Sequence, residues 1–112
     1  MDNDLNKKQY ILCSAIWYKD LPTMQHLPRN CEKGIVLCGR AHCNIIAQMF
    51  TTMKLRTASL GEHSTGDFEQ GFLTNDNFFV GRREAAEIAY RAGQINEKLN
   101  ELCSENVWWI SR

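Results

Sequence analysis

Between Gln9 and Tyr18 apolar side chains occupy both alternating sets of positions. Tyr10, Leu12, Ser14 and Ile16 form one set, and Ile11, Cys13, Ala15 and Trp17 the other. A strand with two largely apolar faces is covered on both sides, so this segment reads as a central strand. A polar loop broken by Pro22 and Pro28 follows. Gly34 to Cys38 then reads as a second, buried strand closed by Gly39. From Arg40 or Ala41 the period changes to that of a helix. The stripe His42, Ile45, Ile46, Met49, Phe50, Met53 would face the core. Leu55 to Thr65 holds no period and reads as irregular.

Phe68 to Thr74 is a strand candidate. Asn75-Asp76-Asn77 has strong turn chemistry, and Phe78 to Val80 would return antiparallel. The following helix presents Ala85, Ile88, Ala89 and Ala92 on one face. Gly93 ends or interrupts it, and Ile95, Leu99 and Leu102 suggest a further helical stretch. Val107-Trp108-Trp109-Ile110 is too apolar to hang in solvent and should dock on the body or on another subunit. The order of strand, strand, helix, hairpin, helix predicts an α+β domain. It should be a single layered domain over residues 1–112, with two main helices on a small, mainly antiparallel sheet and residues 1–8 flexible.

Composition narrows the functions available to such a domain. Thirteen basic and thirteen acidic residues balance, which argues against general nucleic-acid binding. No apolar run is long enough to cross a membrane, and the polar start of the chain is no secretory signal. A cytoplasmic protein is expected, with its five cysteines free. Cys31, Cys38, His42, Cys43 and His63 lack the paired spacing of a zinc site. No metal or other cofactor is called for.

One local rule is broken. Arg82 and Arg83 open the second helix, where the backbone dipole favours acids and a base costs roughly 0.3–1 kcal/mol. Two guanidiniums beside free helix N–H groups suit an anion such as a phosphate; pairing with Glu84 or Glu87 is the plainer explanation. Arg40, after a strand and a glycine, is a similar but weaker signal. Phe78 and Phe79 are consecutive in a strand and point to opposite sides, so one ring faces outward and could stack on a base. Asn75 and Asn77 could read base or ribose edges, or serve only the turn. Cys43 beside His42 suggests a nucleophile and base, but adjacent helical residues diverge by about 100°. His42, on the apolar stripe, reads more simply as a hydrogen-bonded core residue.

Five short signatures occur in order along the chain. They are Leu37-Cys38-Gly39-Arg40-x-His42, Gln70-Gly71-Phe72-Leu73-Thr74, Phe79-Val80-Gly81-Arg82-Arg83-Glu84-Ala85-Ala86-x-Ile88-Ala89, Ala92-Gly93-Gln94-Ile95, and Leu102-x-Ser104-Glu105-Asn106-x-Trp108. From about Gln9 to Trp108 the chain thereby resembles small bacteriophage and prophage proteins of the first family of Thoeris anti-defence proteins. The resemblance implies a non-enzymatic sponge in the cytoplasm of the infected bacterium. Such a protein binds a cyclic ADP-ribose isomer, and in some members also cyclic oligonucleotides, in a pocket shared between subunits of a homo-oligomer.

By motif, Arg40, His42, Phe72, Thr74, Arg82 and Glu84 would lie nearest the pocket; Asn75, Phe78 and Arg83, singled out above from the residues themselves, complete the ligand-binding set. The arginines would hold the diphosphate, an aromatic ring would stack on adenine, and Glu84 would take ribose hydroxyls or orient an arginine. The chain departs from the pattern at Gly81, where an aspartate is usual, at Phe78, where a basic residue is usual, and at Asn106. Its ligand choice could therefore differ. The alternatives from the residues alone are a small nucleotide-directed hydrolase or transferase using Cys43 and His42, and a module that binds a host protein.

Overall fold

The computed structural model describes residues 8–60 and 66–107, apart from the side chains of residues 53–60. Four strands, β1 (Ile11–Tyr18), β2 (Ile35–Gly39), β3 (Phe68–Thr74) and β4 (Phe79–Gly81), form one antiparallel sheet in the order β2-β1-β3-β4. Two helices, α1 (His42–Leu60) and α2 (Arg82–Arg91), pack on it. The α+β architecture anticipated from the alternation of periods is therefore present.

The two apolar faces of β1 have different covers. Ile16 and Tyr18 pack with Ile45 and Met49 of α1, while Ala15 packs with Cys31, Val36 and Phe79 on the opposite face. That second face is closed by the loop after β1 through Leu27 and Cys31. Simple alternation fails at one point. A register shift between Ile11 and Cys13 moves Ile11 onto the helix side, where it joins Phe72, Val80, Ala85, Ile88, Ala89 and Leu102. A bulge of this kind turns one residue to the other face.

Other expectations are corrected. β2 is an edge strand with Cys38 exposed, not a buried strand. Among the described side chains of the α1 stripe, His42, Ile45 and Met49 are buried, while Ile46 is 42% and Phe50 65% exposed. The helix covers one edge of a narrow sheet, so a stripe three residues wide finds no second surface. The segment at Leu55 continues α1 as far as Leu60 rather than being irregular. The described residues after α2, up to Val107, form turns rather than a helix, with a 3-10 turn at Ser104–Asn106. Met53, His63, Trp108, Trp109 and Ile110 fall outside the described side chains; Val107 is buried in the main core.

Several signature residues are folding devices. A Cβ on Gly71 would lie 2.2 Å from the Val80 carbonyl oxygen, so the β3–β4 pair closes only around a glycine. Gly93, at φ +78°, ends α2: its N–H donates to the Tyr90 carbonyl (3.1 Å) and the Gln94 N–H to that of Ala89 (2.8 Å), a Schellman cap. Side-chain amides then stand in for strand neighbours. Gln94 accepts from the Ile11 N–H at 2.8 Å and donates to the Ile11 carbonyl at 2.9 Å. Asn30 does the same for Phe79 on the outer edge of β4, at 2.9 and 2.7 Å. Asn75 accepts from the Tyr10 N–H at 2.7 Å and donates to the Lys8 carbonyl at 2.9 Å. Two-point amide pairs of this sort blunt exposed strand edges and serve the bulge of β1.

Gln94→Ala leaves both polar groups of the fully buried Ile11 without these partners. It is expected to lower stability by about 1–3 kcal/mol, read as a shift in urea midpoint at constant slope. An unchanged midpoint would show that the amide is dispensable.

Candidate functional site

Both helices start from one row of the sheet. Ser14 pairs with Gly39 and with Phe72, and Phe72 pairs with Val80. Gly39 leads through Arg40 and Ala41 into α1, and Gly81 leads directly into α2. The row therefore carries Arg40, His42 and Arg82 to one region from chain positions far apart.

His42 is at the centre of this region and is buried. Its Nε2 is 2.7 Å from the Gly71 carbonyl oxygen, so Nε2 bears the proton. Nδ1 then accepts from the Ser104 hydroxyl at 2.8 Å. Ser104 Oγ also accepts the His42 backbone N–H at 2.9 Å and lies 2.9 Å from Ser14 Oγ. With its own proton spent on the ring, Ser104 takes the proton of Ser14; the Arg40 carbonyl stands farther from Ser14 Oγ, at 3.4 Å. The hydroxyl of Ser104 thus caps the first turn of α1, which Ala41 has no side chain to cap. The ring of His42 meets Phe72 edge-on at 5.1 Å.

Burial holds His42 below the ordinary histidine value, and the Arg82 charge adds to this against the raising effect of the Gly71 carbonyl. The imidazole is neutral and both nitrogens are committed. It does not serve as a base for Cys43, which is exposed one residue along the helix. Burial also pushes the Cys31 thiol up to about 11. Among the described residues no three metal-ligating side chains come together.

Phe72 and Thr74 have no exposed surface. The Thr74 hydroxyl accepts the Phe78 N–H at 3.0 Å and donates to Asp76 at 2.5 Å, holding the β3–β4 turn. Phe79 points to the far face of the sheet, packed edge-on to Trp17. Phe78 is half-buried against the helix-side core, with the Arg29 guanidinium 5.4 Å from its ring centre. Thr74, Asn75 and Phe78 therefore belong to the hairpin end, apart from the helix starts. Phe72 and His42 lie beneath the row and shape it from below.

Arg40, Arg82, Arg83 and Glu84 remain on the accessible side. Gly81 precedes α2 and no side chain caps the helix. Arg82 Nη2 donates to Gln70 Oε1 at 2.6 Å, while its Nε is buried without a hydrogen-bond partner. Its main-chain carbonyl accepts from the Leu102 N–H at 3.0 Å, which draws the following loop alongside the helix start. Between them runs a groove of about 620 Å³ lined by Arg83, Glu87, Lys98, Leu99, Asn100 and Glu101. Sequence patterning missed Lys98 and Asn100, because their segment carries a helix-like apolar spacing and folds as turns.

Protonation of His42 links the site to stability. The unfolded chain takes up this proton near the ordinary value of 6.5, and the folded chain only at lower pH. The contribution is complete above that value and is lost as pH falls below it. Stability should decline between pH 7 and 5.5 with a slope below the one-proton limit of about 1.4 kcal/mol per pH unit. His42→Gln should flatten the slope in urea titrations across that window; a slope equal to wild type would place the linkage elsewhere.

No curated protein and no solved structure matches the chain. A protein family described as phage T4 y16D protein matches it over residues 10–108. That span runs from the start of β1 past the 3-10 turn and includes every element of the fold. The chain belongs to the phage T4 y16D protein family.

Proposed function

We propose that this phage-family protein captures a cyclic nucleotide immune signal, a cyclic ADP-ribose isomer, and holds it without turnover in the cytoplasm of the infected host. The observation that carries the reading is the start of α2. Two arginines open a helix with no side-chain cap, and a buried Arg82 nitrogen has no partner. A phosphate-bearing ligand would satisfy these groups through charge-assisted hydrogen bonds, which are stronger than neutral ones. The arrangement of His42 supports binding over catalysis, since its ring is engaged at both nitrogens by the fold.

Arg40, Arg82, Arg83 and Glu84 would face the ligand. His42 and Phe72 would act as positioning residues under them, while Thr74 holds the hairpin turn. Asn75 and Phe78, at the hairpin end, would reach the ligand only from a second copy of the chain, consistent with a pocket shared in a homo-oligomer. A trap of this kind works by slow release, and a rigid cyclic ligand loses little freedom on capture.

The test is capture and release. Protein incubated with cyclic ADP-ribose isomers and cyclic oligonucleotides is freed of unbound ligand and heat-denatured, and the released material is identified by mass spectrometry. Intact cyclic ADP-ribose isomer in stoichiometric amount is expected, with loss of capture in Arg40→Ala and in Arg82→Ala at nearly unchanged thermal midpoints. A chemically altered product would replace this reading with an enzyme. Absence of capture from the whole panel would remove it.

A further inference from the structure

Two cysteines meet on the face of the sheet opposite α1. Cys38 lies in the edge strand β2 and is exposed, and Cys13 lies in β1 and is half-buried. Ala15 pairs with Cys38 across the two strands, and Cys13 stands two residues from Ala15 on the same face. The neighbours agree with this placement. Leu73, which pairs with Cys13 on its other side, packs against the cluster of Ala15, Cys31, Val36 and Phe79 on that face, whereas Leu37 packs on the α1 side. Cys13 and Cys38 are thus diagonal neighbours in an antiparallel pair, and their thiols share a side-chain hydrogen bond.

That hydrogen bond makes the two thiols unequal. It holds Cys13 below the ordinary cysteine value, against the raising effect of burial, and pushes Cys38 up. A thiolate is the nucleophile in thiol–disulfide exchange, so Cys13 is the attacking sulfur and Cys38 the one that follows. Cys31 shares the face, but burial pushes its thiol up to about 11 and keeps it protonated. The backbone suits a bond between the pair. A disulfide needs Cα atoms no more than about 7 Å apart, close to the diagonal spacing of two strands. Because β2 has a strand neighbour on one side only and ends at Gly39, a small shift of this edge closes the distance.

We propose that Cys13 and Cys38 are a reversible thiol–disulfide site, closed by exchange with a low-molecular-weight disulfide such as oxidised glutathione. The Cys13 thiolate attacks one sulfur of the reagent, forming a mixed disulfide and expelling a thiolate. Cys38 then gives up its proton and attacks Cys13 Sγ, which breaks the mixed bond and forms the Cys13–Cys38 bond. Two electrons pass to the reagent, which leaves as two thiols carrying the two protons. The second step is intramolecular and runs at a high effective concentration, so the mixed disulfide does not accumulate. In a reduced glutathione pool the pair rests open, and it closes as the pool becomes oxidised. The site does not depend on the capture reading.

The experiment places folded, reduced protein in glutathione buffers of falling reduced-to-oxidised ratio, quenches by alkylation and maps each cysteine by mass spectrometry. Thiols should be lost from Cys13 and Cys38 together, about tenfold or more faster than from Cys31, Cys43 and Cys103. A linked Cys13–Cys38 peptide should appear, and both thiols should return when reduced glutathione is restored. Cys38→Ser should instead accumulate a glutathione adduct at Cys13, with a thermal midpoint showing it folded. Wild type in which Cys13 and Cys38 stay alkylatable while Cys43 reacts would overturn the proposal. So would a bond from either to another cysteine, or a glutathione adduct that persists on either without closure. The wild-type map decides between these outcomes even where the variant fails to fold.

Discussion

The hydroxyl of Ser104 is the joint on which the arrangement depends. One oxygen caps α1 through the His42 N–H, fixes the His42 ring through Nδ1, and meets Ser14 in the central strand. The other ring nitrogen grips the Gly71 carbonyl in β3. Four pieces of chain, β1, β3, the start of α1 and the segment after α2, are thereby tied at one buried point. Buried polar networks stabilise only when each member is satisfied, and here both ring nitrogens of the histidine and the hydroxyl of Ser104 are engaged. The segment after α2 has little regular structure of its own, so this joint and the Leu102 anchor decide where it lies.

That placement produces the candidate site. Both helices leave the sheet from the row Gly39–Ser14–Phe72–Val80, which brings the basic residues after β2 and β4 to one side. The loop held by Leu102 and Ser104 then forms the second wall beside α2. Gly71 and Gly81, paired across β3 and β4, keep the strand pair close enough for Arg82 to reach Gln70. Folding and site are therefore built from neighbouring residues of the same signatures: within Phe79-Val80-Gly81-Arg82-Arg83 the first residues close the core and the last face outward.

Much of the fold was legible because its signals are local. The change from alternating to helical spacing at α1, the Asn75-Asp76-Asn77 turn and the glycine ending α2 each act through nearby backbone. Where the outcome depended on a distant partner, patterning misled. The bulge that turns Ile11 inward is served by Gln94, 83 residues away. Ile46 and Phe50 fit a core stripe, yet the sheet offers α1 only room for Ile45 and Met49. Leu99 and Leu102 repeat at helical spacing, but Leu102 is claimed by the main core and the backbone turns instead. At the site, Arg82 and Arg83 stood out because they break a helix-start rule, whereas Lys98 is one surface lysine among many until the loop brings it to the groove.

The central claim is that an anionic ligand is held at the start of α2. The most direct measurement is amide hydrogen exchange, resolved by residue, with and without saturating cyclic ADP-ribose isomer. The account predicts protection concentrated at the amides of Arg83 and Glu84 and in residues 98–101, with the hairpin at Asn75–Asn77 changing only if subunits associate. Protection confined to other surfaces, or none on ligand saturation, would contradict it.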